Sequence, residues 1–302
     1  MTQTVLILGG KGKIGAHAAQ AFWNAGWQVR MYDRVTDMTQ AAMGADVIVN
    51  GLNPPKYHNW AKLIPQITTQ VIAAAKASGA TVIIPGNVYN FGAVAGEWSE
   101  HSPQQPQTRK GKIRVQMERD YAASGVQTII LRAGNFIDPD HNGDIMSVFL
   151  MTGIAKGKLT LAGPRGIVTT YCFLPDWAQA AVALAEKRAE LAQFEDVPFP
   201  GHAFSIEDLR LTVQDTMGRP VRLSPFPWWV MTLASPFWEL ARELSEMRYL
   251  WTTAHTLSGT KLARLLPEFR PTDLRHVMLA GLPVEVYPNQ PVRAGTQAIP
   301  AQ

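Results

Sequence analysis

The 302-residue sequence has few of the features that mark metal, membrane or disulfide-bonded proteins. One cysteine, Cys172, excludes an internal disulfide framework and a zinc cluster of thiolates, which fits a reducing compartment. The seven histidines show no HExxH or other paired ligand spacing, so we expect no metal site. No apolar run approaches the roughly 18 residues of a membrane span, and the first residues lack the basic start of a signal peptide.

An excess of charge of one sign is also missing. The 28 Lys and Arg residues are opposed by 24 Asp and Glu residues, and a formal net charge of +4 is too small to indicate a nucleic-acid surface. The hydrophobic content of 46% allows a chain of this length to bury a sizeable core. We therefore expect a cytoplasmic protein with a small-molecule substrate and no nucleic-acid or membrane partner, and a homodimer is left open.

The most apolar stretch, residues 225–240, is interrupted by Pro227 and Pro236. We expect it to be buried or to form a lid over a pocket rather than to contact lipid. Trp228, within this stretch, is our candidate for a substrate contact.

The start of the chain shows a strand, a glycine loop and a helix in succession. An apolar run over residues 4–8 precedes the glycines, and apolar residues at helical spacing follow them. Gly10 would allow a tight turn, Gly12 would let backbone N–H groups approach a pyrophosphate, and Gly15 would let the helix lie close to the strand. The pattern predicts dinucleotide binding by Gly9, Gly10, Gly12, Lys13, Ile14 and Gly15; the alternative is a glycine turn without a ligand.

A second predicted strand, residues 27–32, ends in Asp33 about 20 residues past the glycine loop. There a carboxylate can accept hydrogen bonds from the ribose diol of NAD and would repel the 2′-phosphate of NADP. Arg34 could instead receive that phosphate or stack on the adenine. We expect NAD, with NADP as the alternative.

The next 150 residues alternate short β-branched runs with helical segments, which predicts an α/β fold with a Rossmann-like, doubly wound parallel sheet. Too few residues separate Asp33 from the strand over 45–50 for the usual third strand, which we expect to be short or missing. Helices are predicted over 59–78, ending at Gly79, and over 109–124. Ligands of such sheets bind beyond the carboxyl ends of the strands, and on this rule Asn135 is a candidate site residue. The further candidate cofactor contacts are Asn50, Gly51, Leu52, Pro85 and Lys110.

From Asp138 onward the sequence pattern changes. Helices are expected over 145–155, over 177–187 with Asp176 as its cap, and from Ser205 to Gly218 with Asp208 completing a capping box. We predict a dinucleotide-binding domain over 1–165, to which 166–200 contributes, and a smaller, mostly helical substrate domain over 201–285. The remainder, 286–302, is polar and proline-bearing and is expected to be a tail.

The sequence resembles the short-chain dehydrogenase/reductase superfamily in the order of six motifs. They are GGKGKIG, MYDR, ADVIVN, VIIPGNVYNFG, LRAGN and YCFLPDWAQAAV. The similarity spans about residues 1–280 and is greatest to the extended or atypical branch, the NAD-dependent epimerase/dehydratase-like proteins. The resemblance implies a nicotinamide cofactor and a sugar-like or small carbonyl substrate. It also implies a catalytic Tyr, a Lys four residues later, and a Ser or Thr at the end of the preceding strand.

The sequence departs from this family in its catalytic residues. None of the seven tyrosines is followed by Lys at the fourth position, and the pattern instead places Lys110 at the Tyr position and Arg114 at the Lys position. The segment from Pro85 to Asn87 offers no hydroxyl where the family has one.

Two hypotheses follow from this replacement. The first is a catalytically inactive, cofactor-binding regulator of the NmrA-like type, and the second is an oxidoreductase or epimerase with other acid/base groups. For the enzyme, Lys110 and Tyr89 are the candidate acid/base groups and Arg114 an electrostatic clamp, with Asn87 and His58 near the substrate. Cations in the first turns of a helix oppose its dipole, so local stability does not explain them. Glu118 is expected to pair with Arg114. The alternative interpretation of the basic residues over 109–114 is a solvated helix face without a role in a site.

Overall fold

The structure, a computed structural model, describes residues 2–283, so the predicted tail over 286–302 lies outside the described residues. The strands are β1 (Thr4–Leu8), β2 (Gln28–Met31), β3 (Val47–Asn50), β4 (Thr81–Gly86), β5 (Gly96–Trp98), β6 (Thr128–Arg132), β7 (Asn135–Ile137), β8 (Lys158–Leu161), β9 (Thr169–Phe173), β10 (Phe194–Pro198), β11 (His202–Phe204), β12 (Arg222–Pro225) and β13 (His255–Leu257). The helices are α1 (Lys13–Asn24), α2 (Met38–Ala42), α3 (Trp60–Ser78), α4 (Arg109–Ala123), α5 (Leu174–Glu186), α6 (Ile206–Met217), α7 (Trp228–Ala234), α8 (Glu239–Glu246), α9 (Thr260–Leu265) and α10 (Leu274–Leu279).

Six parallel strands form the central sheet in the order β10-β6-β4-β3-β1-β2. The sheet is buried on both faces: one apolar cluster joins it to α1 and α5, and a second joins it to α2, α3 and α4. Strands β1, β3 and β6 are accordingly continuous runs of buried residues, as the apolar runs predict. The α/β, Rossmann-like fold is therefore confirmed.

The short edge of the sheet was also predicted correctly. Within the described chain, only the five-residue helix α2 separates β2 from β3, which pairs with the other side of β1. Strand β2 is thus the edge of the sheet, with no third strand outside it in the described residues.

Several helix ends agree with the sequence. Helix α3 ends at Gly79, whose φ of 75° is the left-handed cap conformation, and α6 begins with a capping box formed by Ser205 and Asp208. Two predictions were wrong. Residues 145–155 form a π-helical turn (Met146–Leu150) and a separate 3₁₀ turn (Ile154–Lys156), since Gly153 lies between them with its backbone against Lys158.

The prediction that Asp176 caps α5 was also wrong. The helix begins two residues earlier, with Phe173 as its N-cap residue. The buried Asp176 carboxylate instead accepts hydrogen bonds from the backbone N–H and the hydroxyl of Thr272, at 2.9 and 2.6 Å. It therefore joins α5 to the C-terminal part of the chain.

Residues 201–283 are mostly helical and pack around a third apolar cluster. Their short strands pair with strands from earlier in the chain: β11 with β9, β12 with β8 and β13 with β5. The boundaries proposed for the two domains stay a prediction.

A buried ion triad fixes α4 to the sheet. Arg132, at the end of β6, bonds both carboxylate oxygens of Glu118 on α4 and also Asp196 on β10, with contacts of 2.6–3.3 Å. Burial would lower the pKa of Arg132, but the two carboxylates outweigh it and raise that pKa. Arg132 also donates to the backbone oxygen of Asn87 at 2.7 Å, so the triad holds the loop that follows β4.

Candidate functional site

The glycine loop brings three backbone segments into close contact. Gly9 has a φ of 77°, and a Cβ atom on Gly15 would lie 2.4 Å from the Gly9 oxygen, so glycine is required at both positions. Gly51, which follows β3, lies against the other side of the glycine loop. A Cβ on Gly9 would be 3.0 Å from the Gly51 carbonyl group. Gly10 lies in the tight turn, as predicted, because the Gly12 amide donates to the Gly9 oxygen at 2.9 Å across it. The left-handed φ is at Gly9, and a Cβ on Gly10 would meet the side chain of Met31.

The N-terminus of α1 lacks a side-chain cap. Gly12 is the N-cap residue, and the first turn contains no acidic residue. Ala16 donates to the Gly12 oxygen at 2.9 Å, so the amides of Lys13, Ile14 and Gly15 have no acceptor within the helix. Free amides at the positive end of a helix dipole form a site for a phosphate group.

The loop after β7 lies against the same end of α1. Lys13 Nζ donates to the Gly143 oxygen at 2.7 Å, and burial lowers the pKa of Lys13 despite two nearby carboxylates. His17 Nε2 lies 2.8 Å from Asp138 Oδ1, and ligand atoms of His17, Asp138 and Asp140 lie within 4.8 Å of one another. Such groups are common without an ion, and the prediction of no metal site stays a prediction.

Asp33 and Arg34 follow β2, the strand that pairs in parallel with β1, and both side chains are exposed. One oxygen of Asp33 accepts a hydrogen bond of 3.2 Å from the Val35 amide. This local bond leaves the carboxylate able to accept from a ligand hydroxyl at the same edge of the sheet as the glycine loop.

The candidate residues after β3 lie at the same edge. Asn50 is buried, and its side chain accepts from the Leu52 amide at 3.1 Å and donates to the Tyr121 hydroxyl at 3.4 Å. These bonds hold the half-buried Gly51 and Leu52 beside the glycine loop.

The next two strands place Pro85, Asn87 and Asn135 at this edge as well. Pro85 lies within β4, and Asn87 follows it and accepts from the Tyr89 amide at 3.0 Å. Asn135 is half-buried and begins β7, three residues after β6 ends. The structure therefore brings the predicted cofactor contacts to one side of the sheet.

Lys110 is completely buried beneath α8. Its ammonium group forms ion pairs with Glu243 and, at 2.6 Å, with Glu246, and it lies 4.9 Å from the centre of the Tyr57 ring. Arg109 also donates to Glu243, at 2.5 Å. Two carboxylates from α8 thus neutralise the residue that replaces the family's tyrosine.

Arg114 is buried one turn further along α4, and its surroundings differ from those of Lys110. Its Nη2 atom donates to the exposed Asn53 side chain at 3.1 Å, its Nη1 atom contacts Met117 Sδ at 3.6 Å, and its guanidinium lies 4.8 Å from the Trp60 ring centre. Its Nε atom is buried without a hydrogen-bond partner among the described residues. Burial lowers the pKa of Arg114.

Tyr57 and Tyr89 form the third part of this cluster, with their hydroxyl oxygens 3.2 Å apart. The Tyr89 phenol raises the pKa of Tyr57, with burial adding to the effect, and burial raises the pKa of Tyr89. Both phenols therefore keep their protons at neutral pH. Tyr57 lies in a strained turn, where Lys56, Tyr57 and Asn59 all have φ between 48° and 62°.

The helix carrying these cations is not a solvated basic face. Lys110 and Arg114 are buried, whereas Arg109 and Lys112 are exposed. The predicted pair between Glu118 and Arg114 was wrong, because both oxygens of Glu118 bond to Arg132.

The remaining two candidates, His58 and Trp228, bond to residues outside this cluster. His58 is exposed, and its Nδ1 atom lies 3.0 Å from a Glu239 carboxylate oxygen of α8. Trp228 donates to the Ala162 backbone oxygen at 2.7 Å and packs edge-on against Phe226, so its indole N–H is already bonded.

The apolar stretch over 225–240 was expected to be buried or to form a lid over a pocket, and the expectation of burial is wrong for several of its residues. Trp229, Leu233 and Phe237 are 68%, 70% and 95% exposed, because α7 buries none of its residues. Helix α8, which follows, buries Ala241 and Glu243 and turns its carboxylates toward Lys110.

Sequence analysis missed the residues that surround the two cations: Asn53, Tyr57, Trp60, Tyr121, Glu243 and Glu246. The spacing of Tyr57 and Trp60 near a double-proline turn was a local signal for an aromatic pair, and their rings lie 5.1 Å apart. No local signal could have joined Glu243 to Lys110, since 133 residues separate them.

No protein-family model matches the sequence, and no curated protein matches it either. Solved structures do share its fold. A structure of MoeE5 with UDP-glucose and NAD is 14% identical, with a TM-score of 0.72 and coverage of 92% of this chain and 97% of that one. A UDP-glucuronic acid 4-epimerase from Bacillus cereus, with UDP-glucuronic acid and NAD, is 16% identical, with a TM-score of 0.72 and coverage of 92% and 98%. A UDP-galactose 4-epimerase is 18% identical, with a TM-score of 0.67 and coverage of 92% and 97%.

These identities are too low to transfer an activity, and the likeness establishes the fold alone. In the described part of the chain, no helix is long and apolar enough to cross a membrane.

Proposed function

We propose that the protein binds NAD at the edge formed by the glycine loop, Asp33 and Gly51, and that it is an enzyme of the epimerase or oxidoreductase type. The observation that carries the first part is the uncapped N-terminus of α1, packed against β1 where only glycine fits. A pyrophosphate would supply the acceptors that the first-turn amides lack. The NAD-bound structures that share the fold support the same assignment.

Asp33 favours NAD over NADP in this proposal. Its exposed carboxylate would accept from the ribose diol and would repel a 2′-phosphate. Arg34 stands beside it, and a preference for NADPH would show that Arg34 decides the choice.

The nicotinamide, when bound, supplies reversible hydride transfer. Within the chain, Tyr89 is the acid/base group that we favour. It is half-buried, its raised pKa keeps its proton at neutral pH, and Tyr57 can exchange that proton through their hydrogen bond. Arg114 would stabilise negative charge on the substrate oxygen. Lys110 is a weaker candidate than the sequence indicates, because α8 covers it.

The closed cover over Lys110 also favours a second candidate function. A regulator that binds NAD without turnover needs no open path to this residue, and two carboxylates already occupy its ammonium group. In such a regulator the cofactor contacts would be the same as in the enzyme, and α8 would stay closed over Lys110.

Turnover separates the two functions. Nucleotide sugars and small carbonyl compounds would be incubated with the full chain and NAD, and epimer or redox products measured. Tyr89→Phe should lower turnover by roughly 10²- to 10⁴-fold, whereas Tyr171→Phe, which removes a hydroxyl from the separate C-terminal core, should not. Saturable NADH binding without any product would favour the regulator.

The cytoplasmic location and a possible homodimer stay predictions, as does the small-molecule substrate. Light scattering on a size-exclusion column would measure the mass of the assembly. A mass of one chain would exclude the homodimer.

A further inference from the structure

Three Lys or Arg side chains are buried in the described part of the chain: Lys110, Arg114 and Arg132. Lys110 is neutralised by Glu243 and Glu246, and Arg132 by Glu118 and Asp196. Arg114 has no carboxylate within 4 Å among the described residues. Glu118 attracts Arg114 from further away but bonds to Arg132, and a buried cation without an ion-pair partner is costly. The Nε–H of Arg114 in addition has no acceptor.

The groups around Arg114 are suited to holding an anion. Trp60 packs on the Arg114 guanidinium and fixes its plane. The Asn53 side chain accepts a hydrogen bond from only one of the N–H groups of Arg114. Tyr57 and Tyr89 share one hydrogen bond, which uses one of their two hydroxyl protons. The second hydroxyl proton remains a donor for a ligand that reaches the same cluster.

From these observations we propose that Arg114 binds the carboxylate of an acidic small-molecule substrate, with a Tyr57 or Tyr89 hydroxyl as the second donor. This proposal rests on the proposed enzyme function and names the class of substrate. A carboxylate supplies the missing negative charge and matches the planar guanidinium. A sugar without a carboxylate would leave Arg114 without an ion-pair partner at the sugar.

The residues around Arg114 also differ in their exposure to solvent. Asn53, the polar partner of Arg114, is exposed, whereas Trp60 is buried. Asn53 therefore marks the solvent side of Arg114, from which a carboxylate would approach.

The test compares compounds that differ in one carboxylate. Binding of UDP-glucuronic acid and UDP-glucose, and of D-glucuronate and D-glucose, would be measured by calorimetry with the full chain, with and without NADH. Wild type should bind the carboxylate member of a pair roughly 10- to 100-fold more tightly. Arg114→Met should abolish this preference by weakening binding of the carboxylate member of each pair more than binding of the member without the carboxylate.

Further variants keep the test independent of folding. Tyr57→Phe retains the ring and should reduce the preference several-fold, and Arg114→Lys retains charge but should recover only part of it. Arg119→Met removes an exposed cation from the same helix and should change nothing.

Equal affinities within each pair, or binding of neither carboxylate, would overturn the proposal. It would also fail if Arg114→Met kept the preference, or if that variant weakened NADH binding as strongly as carboxylate binding, which would assign Arg114 to the cofactor. Failure of NADH to bind wild type is a different result, since it would contradict the proposed function itself.

Discussion

Replacing Lys110 with Met tests whether the buried ion pairs hold α8 on the nucleotide-binding part of the chain. Both Lys110 and Glu243 are fully buried, so the substitution leaves a carboxylate that water cannot reach. Removal of one partner from a buried pair costs about 3–5 kcal/mol. Arg109 still contacts Glu243, and its own side chain is half exposed, so it compensates only part of this loss.

The expected loss should be visible in both urea and thermal unfolding. At about 2–4 °C per kcal/mol for a chain of this size, the midpoint should fall by roughly 6–20 °C. Lys112→Met, an exposed substitution on the same helix, should stay within about 0.5 kcal/mol of wild type.

A double-mutant cycle with Glu243→Gln separates the pair from its surroundings. The double variant should be more stable than the sum of the single losses implies, with a coupling of about 1–3 kcal/mol. A Lys110→Met variant within 1 kcal/mol of wild type, or strictly additive losses, would refute the ion-pair interpretation of α8.

Three further predictions concern other parts of the molecule. Asp33→Ala should shift the ratio of NADH to NADPH affinity by roughly 10- to 100-fold toward NADPH, measured by cofactor fluorescence; an unchanged ratio would show that Asp33 does not contact the ribose. Arg132→Met should lower the free energy of unfolding by about 3–5 kcal/mol, because Glu118 and Asp196 would lose their shared cation, and a loss under 1 kcal/mol would contradict the triad. Burial would raise the pKa of Glu246, but its bonds and attraction to Lys110 lower that pKa below the ordinary 4.5. The stabilisation is therefore complete above about pH 4.5 and is lost as the pH falls through the lower folded-state value, so Glu246→Gln should flatten the fall in melting temperature between pH 5 and pH 3; an equal slope in both proteins would argue against it.

Local physical patterns in the sequence predict most of the fold. The apolar runs in β1, β3 and β6 identify the strands of a sheet buried on both faces, and Gly79 identifies the end of α3. The short separation between Asp33 and β3 predicts the missing strand, because too few residues remain to form it. These features depend on neighbours within about 20 residues.

The candidate site could be predicted only in part, because its charges are balanced by distant residues. The sequence shows that Lys110 and Arg114 replace the expected pair, but not that α8 neutralises one and leaves the other unpaired. Glu118 lies four residues from Arg114, yet it bonds to Arg132, which competes for it from the sheet. Local spacing therefore identifies the charged residues, whereas tertiary packing decides their partners.

The most direct test of the central claim is a titration of the full chain with NADH, comparing wild type with Gly12→Val. A Cβ on Gly12 would lie 3.3 Å from the Gly9 oxygen, a tight contact that a shift of a few tenths of an ångström would relieve, and the larger side chain would stand before the free amides of α1. Gly166→Val, at a glycine with open space around it, is the matched control. The account predicts saturable binding by wild type and control and at least a tenfold loss in Gly12→Val. Absence of NADH binding to wild type, or equal affinity in all three proteins, would contradict it.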